Sequence, residues 1–146
     1  MEAEGLDVVV PRGYIPGVGL IPHPMATILI VDDSRFMRLA LKAIFKAAGY
    51  DVVGEAGNGK EAIKLYRELT PNVITLDIMM ESMDGLSALK VLMEEVPKPI
   101  VVIISAHKNT AMIEDAKAMG AAGFIKKPFN PQEITRIIKE VCAQRA

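Results

Sequence analysis

The stretch "ATILIVDDSRFMRLALKAIFKAAG", Ala26 to Gly49, changes its period partway through, and that change decides the fold. Ala26 to Val31 is a short continuous apolar run, the pattern of a strand covered on both faces. From Ser34 onward, Met37, Leu41, Ile44 and Ala48 recur at helical spacing, and Gly49 supplies a C-terminal stop. Between the two periods sit two bare carboxylates, Asp32 and Asp33.

The same alternation repeats along the chain. "DVVGEA" reads as a second strand, Gly57-Asn58-Gly59 as a turn, and "KEAIKLYREL" as a helix with Ala62, Ile63, Tyr66 and Leu69 on one face, ended by Thr70-Pro71. "NVITLD" is the third strand, and "LSALKVLMEEV" is a helix stopped at Pro97. "IVVIIS" is the most apolar strand and is expected to lie centrally; "NTAMIEDAKAMG" is a helix with a glycine end, and "GFIKK" is a short fifth strand. At "NPQE", Asn130 suits an N-cap, Pro131 the first helical position and Glu133 a capping box. Ile134, Ile137, Ile138, Val141 and Cys142 then form an apolar stripe. Five strands alternating with five helices predict an α/β fold: a five-stranded parallel sheet, doubly wound as (βα)5, with right-handed crossovers.

Composition narrows the function. The 146 residues suffice for one domain with a real core. A net charge of −1 gives no basic excess to argue for nucleic acid. Cys142 is the only cysteine, so no internal disulfide forms, which fits a reducing compartment such as the cytoplasm. No apolar run reaches the roughly 18 residues of a membrane helix, so no membrane insertion is expected. Met1 to Pro24 differs from the rest: it holds four of the nine prolines and no helical period. It is expected to be a disordered leader, added in cloning or by a mis-assigned start, with Met25 as the natural start. The alternative is an extra edge strand at Val8 to Val10.

In a parallel α/β sheet, chemistry collects beyond the carboxyl ends of the strands, where the strand order reverses. Here those ends carry Asp32-Asp33, Asp77, Ser105 and Lys126-Lys127-Pro128. The three aspartates bring about −3 and one lysine about +1, and burying the remainder would cost at least several kcal/mol. A divalent cation cancels it, and an all-oxygen donor set points to Mg²⁺ or Mn²⁺ rather than zinc. A metal, a lysine and a hydroxyl around a carboxylate make a phosphoryl site.

These residues, in this order, resemble the two-component response-regulator receiver domain from Ala26 to about Ala143. Single elements such as Asp-Asp or Lys-Pro are weak; the whole series in a five-fold βα chain is specific. The resemblance implies a flavodoxin-like strand order, 2-1-3-4-5, and two segments: the leader, residues 1–24, and a receiver domain, residues 25–146. It implies that Asp77 is the phosphoacceptor, taking a phosphoryl group from a sensor histidine kinase. Asp33 would ligate Mg²⁺ directly, beside Asp77 and the backbone carbonyl of Met79, and Asp32 would assist. Lys127 would pair with the phosphoryl oxygens across a cis Lys127-Pro128 peptide. Ser105 would be the switch hydroxyl and Phe124 the switch aromatic, repacking the surface of the fourth helix, fifth strand and fifth helix for a downstream protein target. Met79 and His107 would tune the lifetime of the aspartyl phosphate. The resemblance implies no action on other substrates, only the domain's own phosphoryl transfer and slow autodephosphorylation. The chain length favours a stand-alone module of the chemotaxis type.

Glu81 departs from the family's usual proline four residues after the phosphoacceptor. Competing readings remain for single residues: Asp32-Asp33 as a helix N-terminal charge pair, Phe124 as plain core, His107 as a solvated loop residue. Met79, Met80 and Met83 read as loop packing. Arg35, Arg38, Lys42 and Lys46 read as a solvated face, although kinases dock on that helix in the family. Cys142 reads as inert core. Two other functions compete. A dehalogenase-type phosphatase wants a second aspartate two residues after the first, where this chain has Met79. A flavodoxin-like cofactor binder wants a Ser/Thr/Gly-rich phosphate loop, where this chain has Asp-Asp-Ser-Arg; a flavin protein would also be yellow.

Overall fold

Strand and helix alternate as the periodicity requires. The computed structural model describes residues 14–15, 17, 19–20, 26–80, 85–106 and 110–145. Five parallel strands, β1 (Thr27–Val31), β2 (Asp51–Ala56), β3 (Val73–Leu76), β4 (Ile100–Ser105) and β5 (Gly123–Lys126), lie in the order β2-β1-β3-β4-β5. The helices are α1 (Arg35–Ala47), α2 (Gly59–Leu69), α3 (Gly85–Leu92), α4 (Thr110–Met119) and α5 (Pro131–Arg145). Ahead of this sheet, Tyr14–Ile15 and Gly19–Leu20 pair antiparallel as a separate small ladder within the segment read as a leader. Val8 to Val10, the candidate edge strand, lies outside the described residues.

Alternation along each strand splits the core into two layers. Ile28, Ile30, Val102 and Ile104 face α1 and α5, where they meet Leu41, Phe45, Ile134 and Ile138. Leu29, Val31, Ile74 and Ile103 face α2, α3 and α4, where they meet Ala62, Tyr66, Leu89 and Ala116. β4 is buried along its whole length, but the central strand is β3, one place over. On α1 the stripe is rotated from the sequence reading: Leu41 and Phe45 are buried, while Met37, Ile44 and Ala48 are only partly covered. On α2, Leu69 is exposed although Ala62 and Tyr66 are buried.

Helix ends follow their side chains. Ser34 accepts from the Met37 amide (3.2 Å), Asn58 from Glu61 (2.8 Å) and Asn130 from Glu133 (2.7 Å), each satisfying an amide that the helix cannot. Gly49 (φ +88°) and Gly120 (φ +116°) adopt the left-handed stop after α1 and α4. α3 ends at Leu92, short of Pro97: the Glu94 and Glu95 amides bond back only three residues, to Val91 and Leu92, so the last turn tightens and closes.

Two packing details set the floor of the strand ends. Thr75 of β3 lies between Ile30 and Val102, is 1% exposed, and its hydroxyl has no hydrogen-bond partner among the described residues. Gly85, the first residue of α3, is a glycine for a packing reason. A Cβ there would stand 2.3 Å from the Ile78 Cα and 2.4 Å from the Asp77 carbonyl oxygen, so α3 begins pressed against the backbone that carries Asp77.

Both details are testable by urea denaturation. Thr75→Val removes a desolvated hydroxyl and should raise the midpoint at unchanged slope, by about 1 kcal/mol or more; a lowered midpoint would show that the hydroxyl is bonded. Gly85→Ala forces backbone apart and should cost about 3 kcal/mol or more; a cost under about 1 kcal/mol would mean that the helix can retreat freely.

Candidate functional site

The strand ladders continue one residue past the strands, and this mounts the site. The Asp32 amide donates to Ala56 O, the Asp77 amide to Val31 O and the Lys127 amide to Ser105 O, each at 3.0 Å. Each functional residue is thus fixed by the backbone of a neighbouring strand, at the edge where the order turns from β2-β1 to β3-β4-β5.

The side chains converge there. Lys127 Nζ lies 2.7 Å from Asp32 Oδ2 and 3.2 Å from Asp77 Oδ2. Ser105 Oγ donates to Asp77 Oδ1 at 3.0 Å, and the Met79 amide donates to the same oxygen at 2.8 Å. Asp32 Oδ1 accepts from the Ser34 amide at 2.9 Å, closing the turn into α1. Asp32 is 2% exposed and Asp77 5%, whereas Asp33 stands exposed beside them. Burial alone would lower the Lys127 ammonium, but the Asp32 hydrogen bond and the charges of Asp77 and Asp32 outweigh it and hold it above the ordinary lysine value. The Lys127-Pro128 peptide is cis.

Oxygens of Asp32, Asp33 and Asp77 lie within 4.8 Å of one another. Three carboxylates meet one ammonium, so the cluster keeps a negative surplus, and its donors are hard oxygens only. That set fits Mg²⁺ or Mn²⁺.

Beside Ser105 the packing opens. A cavity of about 190 Å³ is lined by Ile78, Ile103, Ser105, Ile113, Phe124 and Ile125. Phe124 is half-buried at its edge, with Lys117 Nζ 5.5 Å from the ring centre.

Other sequence readings meet mixed outcomes. Met80 is buried, but Met79 is 54% exposed near the site. Glu81, Met83 and His107 lie outside the described residues. Cys142 is half-buried, and burial pushes its thiol up, away from reactivity. The basic stripe on α1 is not uniformly solvated: Arg38 turns inward to Glu55 and to the Asp32 carbonyl. Phe36 (77% exposed) and Leu39 (54%) project from α1 instead, a surface that the helical stripe did not flag. No helix among the described residues is long and apolar enough to cross a membrane.

Known proteins resemble this chain in sequence and fold. Chemotaxis protein CheY of Thermotoga maritima is 44% identical over 114 residues, which cover 78% of this chain and 95% of that protein. A protein-glutamate methylesterase/protein-glutamine glutaminase of Archaeoglobus fulgidus is 46% identical over 102 residues, 69% of this chain and 29% of that protein. The crystal structure of the CheX-CheY-BeF3-Mg complex from Borrelia burgdorferi contains a similar chain, with TM-score 0.77 and 33% identity, covering 89% of this chain and 96% of that one. The model of the response regulator receiver domain matches residues 28–139, from the first residues of β1 into α5. The flavodoxin-like sheet and its carboxyl edge therefore have a family: this chain belongs to the response regulator receiver domains.

Proposed function

We propose that this domain is a phosphorylation-activated signalling switch whose phosphoacceptor is Asp77. The observation that carries the reading is the buried Asp77 carboxylate held between the Lys127 ammonium and the Ser105 hydroxyl. A carboxylate oxygen of Asp77 attacks the phosphorus of a kinase phosphohistidine; the P–N bond breaks and the imidazole leaves with its electron pair. Lys127, already between Asp32 and Asp77, pairs with the phosphoryl oxygens. Ser105 redirects its hydrogen bond from Asp77 to a phosphoryl oxygen, and Phe124 follows into the neighbouring cavity. Asp33, Asp77 and the Met79 carbonyl would hold Mg²⁺, with Asp32 assisting, and the ion would neutralise phosphoryl charge.

The partners proposed are a sensor histidine kinase and a downstream protein target. The exposed Phe36 and Leu39, with Arg35 beside them, give α1 an apolar and basic face next to Asp33, suited to the kinase. The surface of α4, β5 and α5 would carry the output, since Phe124 and Ser105 border it. A dehalogenase-type phosphatase is disfavoured because the position of its acid–base aspartate is held by the exposed Met79.

Beryllofluoride should bind only with Mg²⁺ or Mn²⁺ present, because the carboxylates otherwise repel an anion. Asp77→Asn should abolish labelling by acetyl phosphate. Stable labelling of that variant would place the nucleophile elsewhere. Lifetime gives a second check. Met79 cannot orient the water that attacks phosphorus, so the phosphorylated state should be long-lived. Met79→Asn should supply one positioned hydrogen bond, worth about 1.4 kcal/mol, and speed dephosphorylation roughly tenfold. An unchanged decay in that variant, with a sharp slowing in His107→Ala, would assign the water to His107.

A further inference from the structure

Resting on the phosphoryl-site reading, we infer that Arg38, anchored by Glu55, is a positioning residue that sets the Asp32-Asp33 backbone for divalent-cation binding. Arg38 lies on α1, one turn beyond the acidic pair. Its Nη1 donates to the Asp32 carbonyl at 2.7 Å, and its Nε donates to Glu55 Oε1 at 3.2 Å. Glu55 is held in turn by Lys42 at 3.4 Å. The Arg38 side chain is only 18% exposed, unlike the surface pair of Arg67 (59%) with Glu95.

The geometry gives this contact a specific consequence. The Asp32 carbonyl belongs to the peptide that joins Asp32 to Asp33, so fixing its direction fixes the plane from which Asp33 departs. The Asp32 amide is gripped on its other side by Ala56 O, the residue after Glu55 on β2. β2 therefore holds Asp32 twice, once by backbone and once through Arg38. Asp33 is exposed, and in this proposal the hold on the Asp32 peptide sets its orientation. Arg38 serves its two acceptors from two separate nitrogens of a rigid fork, Nε to Glu55 and Nη1 to the Asp32 carbonyl; a lysine has one nitrogen on a flexible stem and does not reproduce that spacing. Partners that orient the ligands of a metal commonly change its affinity 10- to 100-fold.

Simple electrostatics predicts the opposite sign. Arg38 is a cation near three carboxylates, so removing its charge should tighten binding of another cation. The test is calorimetric titration of the full chain with Mn²⁺ and Mg²⁺, with folding checked by circular dichroism. Arg38→Gln and the charge-preserving Arg38→Lys should each weaken binding about tenfold or more. Arg67→Gln, which breaks an Arg–Glu pair on the exposed surface, should leave it within twofold. Tighter or unchanged binding in Arg38→Gln, or wild-type affinity in Arg38→Lys, overturns the inference while leaving the phosphoryl-site reading intact. A wild-type chain that binds neither ion overturns both. Arg38→Lys keeps a cation for Glu55, so the comparison holds even if Arg38→Gln fails to fold.

Discussion

Lys127 bridges two buried carboxylates that would otherwise repel each other across the strand ends. Desolvating an ion costs several kcal/mol even after relaxation, so Asp32 and Asp77 can be buried together only with a cation between them. The lysine comes from beyond β5, the aspartates from β1 and β3, and β4 stands between. The ammonium must therefore pass the end of β4, where the residue is Ser105, small enough to leave room and polar enough to bond Asp77 itself. The strand order is thus a condition of the electrostatics: the arrangement needs β1 beside β3 and β5 within one lysine's reach.

Most of the fold was legible because it is written in periods. Continuous apolar runs gave the five strands, and glycines, Asn58 and Asn130 marked helix limits. The rim residues followed from the rule that chemistry collects at the carboxyl ends of parallel strands. What escaped depends on distance. Arg38 sits in a row of basic residues that reads as a solvated face, yet its long side chain folds under the β2–α2 turn to two acceptors. Gly85 looks like a turn residue, but what it supplies is the absence of a Cβ against Asp77 and Ile78. The shift of the α1 stripe toward Phe45 is of the same kind, since a helix can rotate slightly without altering its spacing.

The site has a stiff side and a soft side. On the stiff side, Asp32 and Asp77 are held by backbone bonds to β2 and β1, and Lys127 by one to β4. Preorganised charge needs this stiffness, because a carboxylate that must first be oriented loses part of its advantage. On the soft side, Ser105 and Phe124 border open volume of about 190 Å³. Protein interiors are otherwise close-packed, and an aromatic ring in a filled core has nowhere to turn.

The balance of forces on that soft side gives the proposed switch its direction. Lys117 over the Phe124 ring is a partly solvated contact, worth about 0.5–1 kcal/mol. A hydrogen bond to a charged group is worth about 1.5–3 kcal/mol, and Ser105 already makes one to Asp77; phosphorylation would take the charge off that carboxylate and place it on the phosphoryl oxygens, making them the better acceptors. In the proposed switch the Lys117 contact would hold the ring at the cavity's edge while Asp77 is unmodified, and would yield once the phosphoryl group drew Ser105 away from Asp77. A ring held by a contact of that size could be released by one new charge, whereas a ring locked by a contact of several kcal/mol could not be released by a single hydroxyl.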